Sequence, residues 1–286
     1  MASPGPLAVT VARADRLGGP RRLTVAPRGS TLPEGWVGLD AAADDPAVIS
    51  GWVRDARAGF AGGLADVAGA AVAAQVAGAL VGVTVPPLLV ARRGVPVTPA
   101  GIAVHRHPGG WIDRVAVIAD DVRVLAGDPD AGRLGTTVAD GTTALVTDLA
   151  DDLVASLGPI FDRVRAAAPF GRSGMWGSTV DEIGVVATRL ARDGAVDGDG
   201  AWALADRLID AIEARAERLR SRPRRVDVTT PAGAVPFSRR GTCCLFYKLA
   251  APGSARRAAY CATCPLLSDA EQHARLEASA SAPLGS

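Results

Sequence analysis

All four cysteines of the chain fall within "GTCCLFYKLAAPGSARRAAYCATCPLL", residues 241–267. Cys243 and Cys244 sit side by side, and after sixteen intervening residues Cys261 and Cys264 form a Cys-x-x-Cys pair. Thiolates are metal ligands, and the thiol pKa falls to where they form only beside positive charge or the metal itself. Three chemistries compete. A structural zinc takes four cysteines tetrahedrally, but zinc ribbons present two turns of the Cys-x-x-Cys kind, and adjacent cysteines in extended backbone send their side chains apart. Two disulfides, or a strained vicinal one, need an oxidising compartment. A 2Fe-2S cluster takes two thiolates per iron, so its ligands spread over a wider object than one ion.

Charge bears on the choice. From Arg218 to Ser268 lie ten basic residues and one acid, Asp227, a balance of +9 in a chain whose total is +1, so the remainder carries −8. A cluster with four thiolates is a dianion when oxidised and gains further negative charge on reduction. Surrounding arginine offsets that charge and favours the reduced form. Zinc held by four thiolates is anionic too, so charge alone does not decide; spacing and charge together favour the cluster. Arg239, Arg240, Lys248 (the only lysine), Arg256 and Arg257 are expected to form a basic rim for an anionic chelate or an acidic electron donor. The alternative for each is a solvated face that aids solubility.

The elements that must position these thiols can be sketched from the rest of the chain. At 286 residues it can bury a sizeable core, as one large domain or two ordinary ones. "MASPGPLAVTVARADRLGG" lacks the basic start and apolar run of a secretory signal, which points to the cytoplasm, where clustered cysteines argue for metal or redox chemistry. Val67–Ala91 has only Gln75 and Thr84 as polar side chains and is long enough to span a bilayer. Alanine and glycine gain little from lipid, however, and Pro86-Pro87 should stop a helix early. With Arg54, Asp55, Arg57 and Asp66 upstream, the stretch reads as a helix buried on most sides, with no stable membrane span.

Residues 1–35 predict an extended arm or small strands. Three- and four-residue steps from Trp52 to Leu80 predict a helical region starting near Pro46. Residues 83–129 read as short strands between Arg-Arg-Gly, Pro-Gly-Gly and Gly-Asp-Pro turns, an antiparallel sheet of three or four strands. Three helices follow Asp140: "DLADDLVASLGPIFDRVRAAAP", "SGMWGSTVDEIGVVATRLARD" with Ser173 as N-cap, and "DGDGAWALADRLIDAIEARAERLRSR" closed by Pro223. The expected class is therefore α+β: a mainly helical domain with a small antiparallel sheet (1–235), a cysteine-rich metal-binding segment (236–270) and a disordered tail (271–286).

"RRGTCCLFYKL" followed by "YCATCPL" resembles the C-terminal iron-sulfur motif of the FhuF-like ferric-siderophore reductases. That motif has basic residues, a short Gly/Ser/Thr step, adjacent cysteines, an apolar-aromatic run, then Cys-x-x-Cys and an apolar pair. "GMWGSTVDEIG" is similar to the family's Trp-Gly-Asn/Ser helix start. The motif covers Arg239–Leu267, and the interval from Leu245 to Tyr260 is longer than the family's, with "APGSARRAA" as a loop insertion. The resemblance implies a cytoplasmic reductase whose 2Fe-2S cluster, ligated by Cys243, Cys244, Cys261 and Cys264, passes an electron to ferric iron held by a siderophore of hydroxamate type. A ferredoxin or flavoprotein reductase would supply the electron.

Hard oxygen ligands hold Fe(III) more tightly than Fe(II), so reduction frees the iron. No nucleophile or proton-transfer residue is required. Trp176 is a candidate to line the siderophore pocket, although a core role is the alternative. Phe246 and Tyr247 read as packing under the motif, and His105 and His107 as loop-end surface histidines with no carboxylate to complete a metal site. The rival class is a zinc-stabilised basic module that touches nucleic acid, or handles siderophores without redox chemistry. Few aromatics interleave with the arginines, so base stacking has few candidates and no nucleic-acid partner is expected.

Overall fold

The computed structural model describes residues 4–230, 233–251 and 255–281. In chain order the elements are helix α1 (Pro6–Arg16), strands β1 (Arg22–Val25) and β2 (Trp36–Gly38), and helices α2 (Leu39–Asp44), α3 (Pro46–Gly59) and α4 (Ala65–Ala91). Strands β3 (Ile102–Arg106), β4 (Ile112–Val117), β5 (Val122–Leu125) and β6 (Thr136–Ala139) follow, then helices α5 (Gly141–Ala167), α6 (Arg172–Arg192) and α7 (Gly198–Glu213). A hairpin, β7 (Arg224–Thr230) and β8 (Gly233–Arg239), leads to the cysteine loops, and helix α8 (Asp269–Ser281) comes after them. The class is α+β as expected: helices dominate, small sheets lie beside them, and the thiols cluster near the C-terminal end.

Because α4 is apolar on every face, it can be stable in water only if neighbours cover it all round. They do: α1, α3, α5, α6 and β4 pack on it. By length and composition it could cross a membrane, but 83% of its most apolar stretch is buried inside the protein. Pro86 and Pro87 do not stop it. It continues to Ala91 and ends at Arg92, a left-handed cap at φ 53°. The last turn buries Leu88 and Leu89, 0% and 4% exposed. Each contributes roughly 1.5–3 kcal/mol, which offsets a good part of the roughly 3 kcal/mol that each of the two interior prolines costs.

The N-terminal arm is helical from Pro6 rather than extended, because Leu7, Thr10, Val11 and Ala14 recur at helix spacing and are buried. Strand order in the main sheet is β1-β4-β3-β2, with β1 parallel to β4 and the other pairs antiparallel, so the sheet is mixed. The expected α5 face is buried in full: Leu149, Leu153, Leu157, Ile160, Phe161 and Val164 are each 0% exposed. The N-cap of α6 is Gly171, not Ser173, and α7 ends at Glu213, well before Pro223.

Two boundaries drawn from the sequence move. The one between 235 and 236 falls inside β8, and residues 271–281 belong to α8 rather than to a disordered tail; 282–286 lie outside the described residues. A capping box starts this helix. The Ser268 amide donates to the Glu271 carboxylate at 3.0 Å, and the Glu271 amide donates to Ser268 Oγ at 3.3 Å. Leu276 then packs with Val228 and Phe237 of the hairpin in a small second core. Leu276→Ala should cost about 2–4 kcal/mol. Hydrogen exchange is the measurement: residues 269–281 should lose protection while α4 keeps its own.

Candidate metal centre

The cysteine-bearing segment hangs from α6. On that helix Gly177 and Asp181, one turn apart, face the loop that carries the paired cysteines. A Cβ on Gly177 would lie 1.9 Å from Thr242 Oγ1, so only glycine lets the loop approach this closely. Asp181, 1% exposed, then accepts from the amides of Gly241 at 2.6 Å and Thr242 at 3.0 Å, and from Arg240 Nε at 3.4 Å. Arg240 also joins the two cysteine loops, its amide donating to the Thr263 carbonyl at 3.1 Å.

Other elements fix the remaining edges. Lys248 pairs with Asp66 at the start of α4, and Phe246 packs against Phe60 at 5.8 Å between ring centres. Tyr247 and Tyr260 meet edge to face at 5.1 Å, binding loop to loop. From α8, Arg275 donates to the carbonyls of Tyr260 and Arg257.

Inside this frame the four thiols form a chain of contacts, Cys244 to Cys261, Cys261 to Cys264, and Cys264 to Cys243. Cys264 is 2% exposed, Cys243 and Cys244 are half-buried, and Cys261 is exposed. All are unbridged. Each sulfur also receives a hydrogen bond from the residue two positions on. The Leu245 amide donates to Cys243 Sγ at 3.4 Å and the Thr263 hydroxyl to Cys261 Sγ at 4.0 Å. The amides of Phe246 and Leu266 donate to Cys244 and Cys264. Leu245 sits at φ 65°, in left-handed backbone that is strained for a branched side chain. That conformation makes the turn in which consecutive amides face consecutive sulfurs, a concave donor surface suited to anions.

A neutral thiol is a weak acceptor, whereas a thiolate uses every such donor. In the metal-free chain the contact between Cys244 and Cys261 pulls Cys261 down to about 7, helped by Thr263 and Arg240. The same contact and burial push Cys244 up. Burial also pushes Cys264 up. For Arg240, Asp181 and the thiols outweigh burial and hold the guanidinium charged. Among the described residues, no group of three or more His, Cys, Asp or Glu side chains is arranged to hold a single metal ion. The four sulfurs lie near one another and could hold a thiolate-ligated group.

The expected basic rim is largely spent inside the molecule. Arg239 pairs with Asp269, Arg240 with Asp181, Lys248 with Asp66 and Arg257 with Glu271. Of the five, Arg256 alone has no carboxylate partner among the described residues. Elsewhere in the segment Arg222 binds Asp210 and Glu213, and Arg225 binds Asp199 and Asp227. The charge asymmetry of the sequence is therefore in good part a docking device, basic tail onto acidic helices. Exposed pairs contribute only about 0–1 kcal/mol each.

Three further expectations are corrected. Trp176 belongs to the helical core: it is 0% exposed and edge-on to Phe161 at 4.9 Å. Phe246 is 47% exposed rather than packed under the motif. His105 does have a carboxylate beside it, Asp113 Oδ1 at 2.6 Å from Nδ1, and His107 stacks on Trp111. Sequence reasoning missed Asp181, although an acid among Trp176, Val180 and Ile183 on an apolar helix face is itself a signal, since such a group must have partners.

The chain matches no protein-family model, and no curated protein matches it.

Proposed function

We propose that the four cysteine thiolates hold a 2Fe-2S cluster and that the protein is a one-electron reductase of chelated ferric iron. The observation that carries this reading is the pattern of donors: four sulfurs from two clasped loops, each met by a hydrogen bond from the residue two positions on. Such bonds stabilise thiolates and tune the potential of the group they ligate. Cys243, Cys244, Cys261 and Cys264 would be the ligands, and the group they bind would exchange single electrons with Fe(III), leaving Fe(II), while a ferredoxin- or flavoprotein-type donor replaces each electron.

The residues of the chain do the rest. Arg240 offsets negative charge beside Cys244 and Cys261. Asp181 holds the loop rigid, and the strand hairpin with α8 closes the far side. The resemblance of Arg239–Leu267 to the FhuF-like motif supports the same reading, as does the hard-ligand chemistry that releases iron on reduction.

The test is anaerobic reconstitution with iron and sulfide. Expected are a red-brown protein with equal iron and labile sulfide, an electron paramagnetic resonance signal after dithionite, and Fe(II) captured by a chromogenic chelator when a ferric chelate is added. A colourless protein with stoichiometric zinc overturns the proposal.

A further inference from the structure

Two joined cavities lie on the α6 face beside the thiols. One, of about 340 Å³, is walled by Val185, Arg189, Arg192, Asp193, Phe237 and Thr263 among others, two arginines against one acid. The other, of about 160 Å³, shares Val185 and Arg189 and continues between α6 and α4 to Arg21, with Glu182 as the one acid on its wall. Thr263 stands between Cys261 and Cys264 and donates toward the Cys261 sulfur, so a molecule in the larger cavity touches the residue that separates two thiols.

The cations here differ from those of the rim. Among the described residues, no carboxylate lies within ion-pairing distance of Arg21 or Arg192. The Arg192 guanidinium lies over the Phe237 ring at 4.8 Å. Arg21 lies against Gly78, where a Cβ would come within 2.9 Å of its Nη1, and its Nε is buried without a partner. Glu182 acts on it only at longer range, and burial holds its pKa below the usual guanidinium value. Arg189 donates to the Leu17 carbonyl and reaches Asp193 at 3.7 Å.

Arg21 is half-buried, and the buried Nε–H without a partner opposes folding unless something completes its hydrogen bond. The planar fork of arginine matches a carboxylate, with two parallel bonds. The smaller cavity has room for such a group and little more, and Gly78 and Gly82 of α4 keep it open.

Resting on the reductase reading above, we propose that the joined cavities are the substrate seat and that it selects net-anionic ferric chelates bearing a free carboxylate. Arg21 takes the carboxylate arm in the inner cavity. Arg189 and Arg192 face the charge of the chelate in the outer one, next to Thr263. A hydroxamate chelate without net negative charge leaves Arg21 unpaired and binds less well.

Gallium(III), which matches ferric iron in charge and size but is not reduced, separates binding from electron transfer. Calorimetric titration of the purified full chain with gallium citrate and with gallium desferrioxamine should show preference for the citrate complex, weakening as salt is added. Arg21→Gln and Arg192→Gln should each weaken citrate binding about tenfold, with the melting temperature of Arg21→Gln unchanged or higher, since a buried Nε–H without a partner is gone.

Gly82→Leu tests the cavity itself. A Cβ there meets nothing within 4 Å, so a side chain at this position has open space to enter, and binding should be lost while helical circular dichroism is unchanged. Equal affinity for both chelates, or citrate binding that survives Arg21→Gln and Gly82→Leu, overturns the seat. Iron and sulfide analysis of the same preparation keeps the two claims apart. Its failure with citrate selectivity intact sinks the redox reading alone, and a loaded cluster without selectivity sinks the seat alone.

Discussion

On the cluster reading, Cys244→Ser should yield a folded protein that does not take up iron and sulfide. Cys244 is half-buried, contacts Cys261 and accepts the Phe246 amide, so its sulfur stands at the junction of the two loops. A serine oxygen in its place is harder, and its hydroxyl does not ionise near neutral pH, so one of the four proposed ligands is lost outright. Disturbing only the support of a ligand costs about 10–100-fold in metal affinity, and losing a ligand costs more.

The fold should survive, because the thiols are not part of the large core. That core runs through α4, α5, α6 and α7, and the loops are tied to it by Asp181, Asp66 and Phe60. Iron and acid-labile sulfide per chain after anaerobic reconstitution should therefore drop to roughly a tenth or less of wild type, with helical circular dichroism unchanged. Full iron and sulfide in Cys244→Ser, or a collapse of helicity, would contradict the assignment of this residue as a ligand.

How much of this was legible depends on the range of the interaction. The thiols were, since a cysteine is visible by type alone. So was the α5 face, where Leu149 to Val164 repeat at helix steps and are buried. Helix α1 was equally legible in Leu7, Thr10, Val11 and Ala14, yet its prolines and glycines outweighed that pattern in the reading. The capping box that starts α8 was also written plainly, in Ser268 and Glu271. The prolines of α4 misled for another reason: their cost is local and visible, while the burial of Leu88 and Leu89 that offsets a good part of it comes from elements far away in the chain.

The same holds for charge. Arg239, Lys248 and Arg257 look like a free rim until Asp269, Asp66 and Glu271 fold onto them. Conversely, Arg21 and Arg192 have no distinguishing mark in the sequence. Their significance is only that, among the described residues, no carboxylate pairs with them once the chain has folded.

Asp181 is the extreme case of such range, since it lies 60 residues before the Gly241 amide it binds. Asp181→Ala leaves that amide, the Thr242 amide and the Arg240 guanidinium without their acceptor in a buried site. It should cost about 3 kcal/mol or more and cut iron loading about tenfold, because the loop carrying Cys243 and Cys244 is no longer pinned to α6.

A pH signature separates this positioning role from simple packing. In the metal-free chain burial outweighs Arg240 and the two amides and raises the carboxyl from 3.8 to about 6. A folded pKa above the unfolded one means that the native state binds the extra proton. The stability this contributes is fully present below about pH 4 and is lost as pH rises through 6, by roughly 3 kcal/mol at most. Asp181→Asn keeps an oxygen acceptor but cannot titrate. It should therefore flatten the fall in denaturant midpoint of the metal-free protein between pH 4 and 7 while retaining more loading than Asp181→Ala. An unaltered slope in Asp181→Asn, or wild-type loading in Asp181→Ala, would show that the loop is held by something other than this carboxylate.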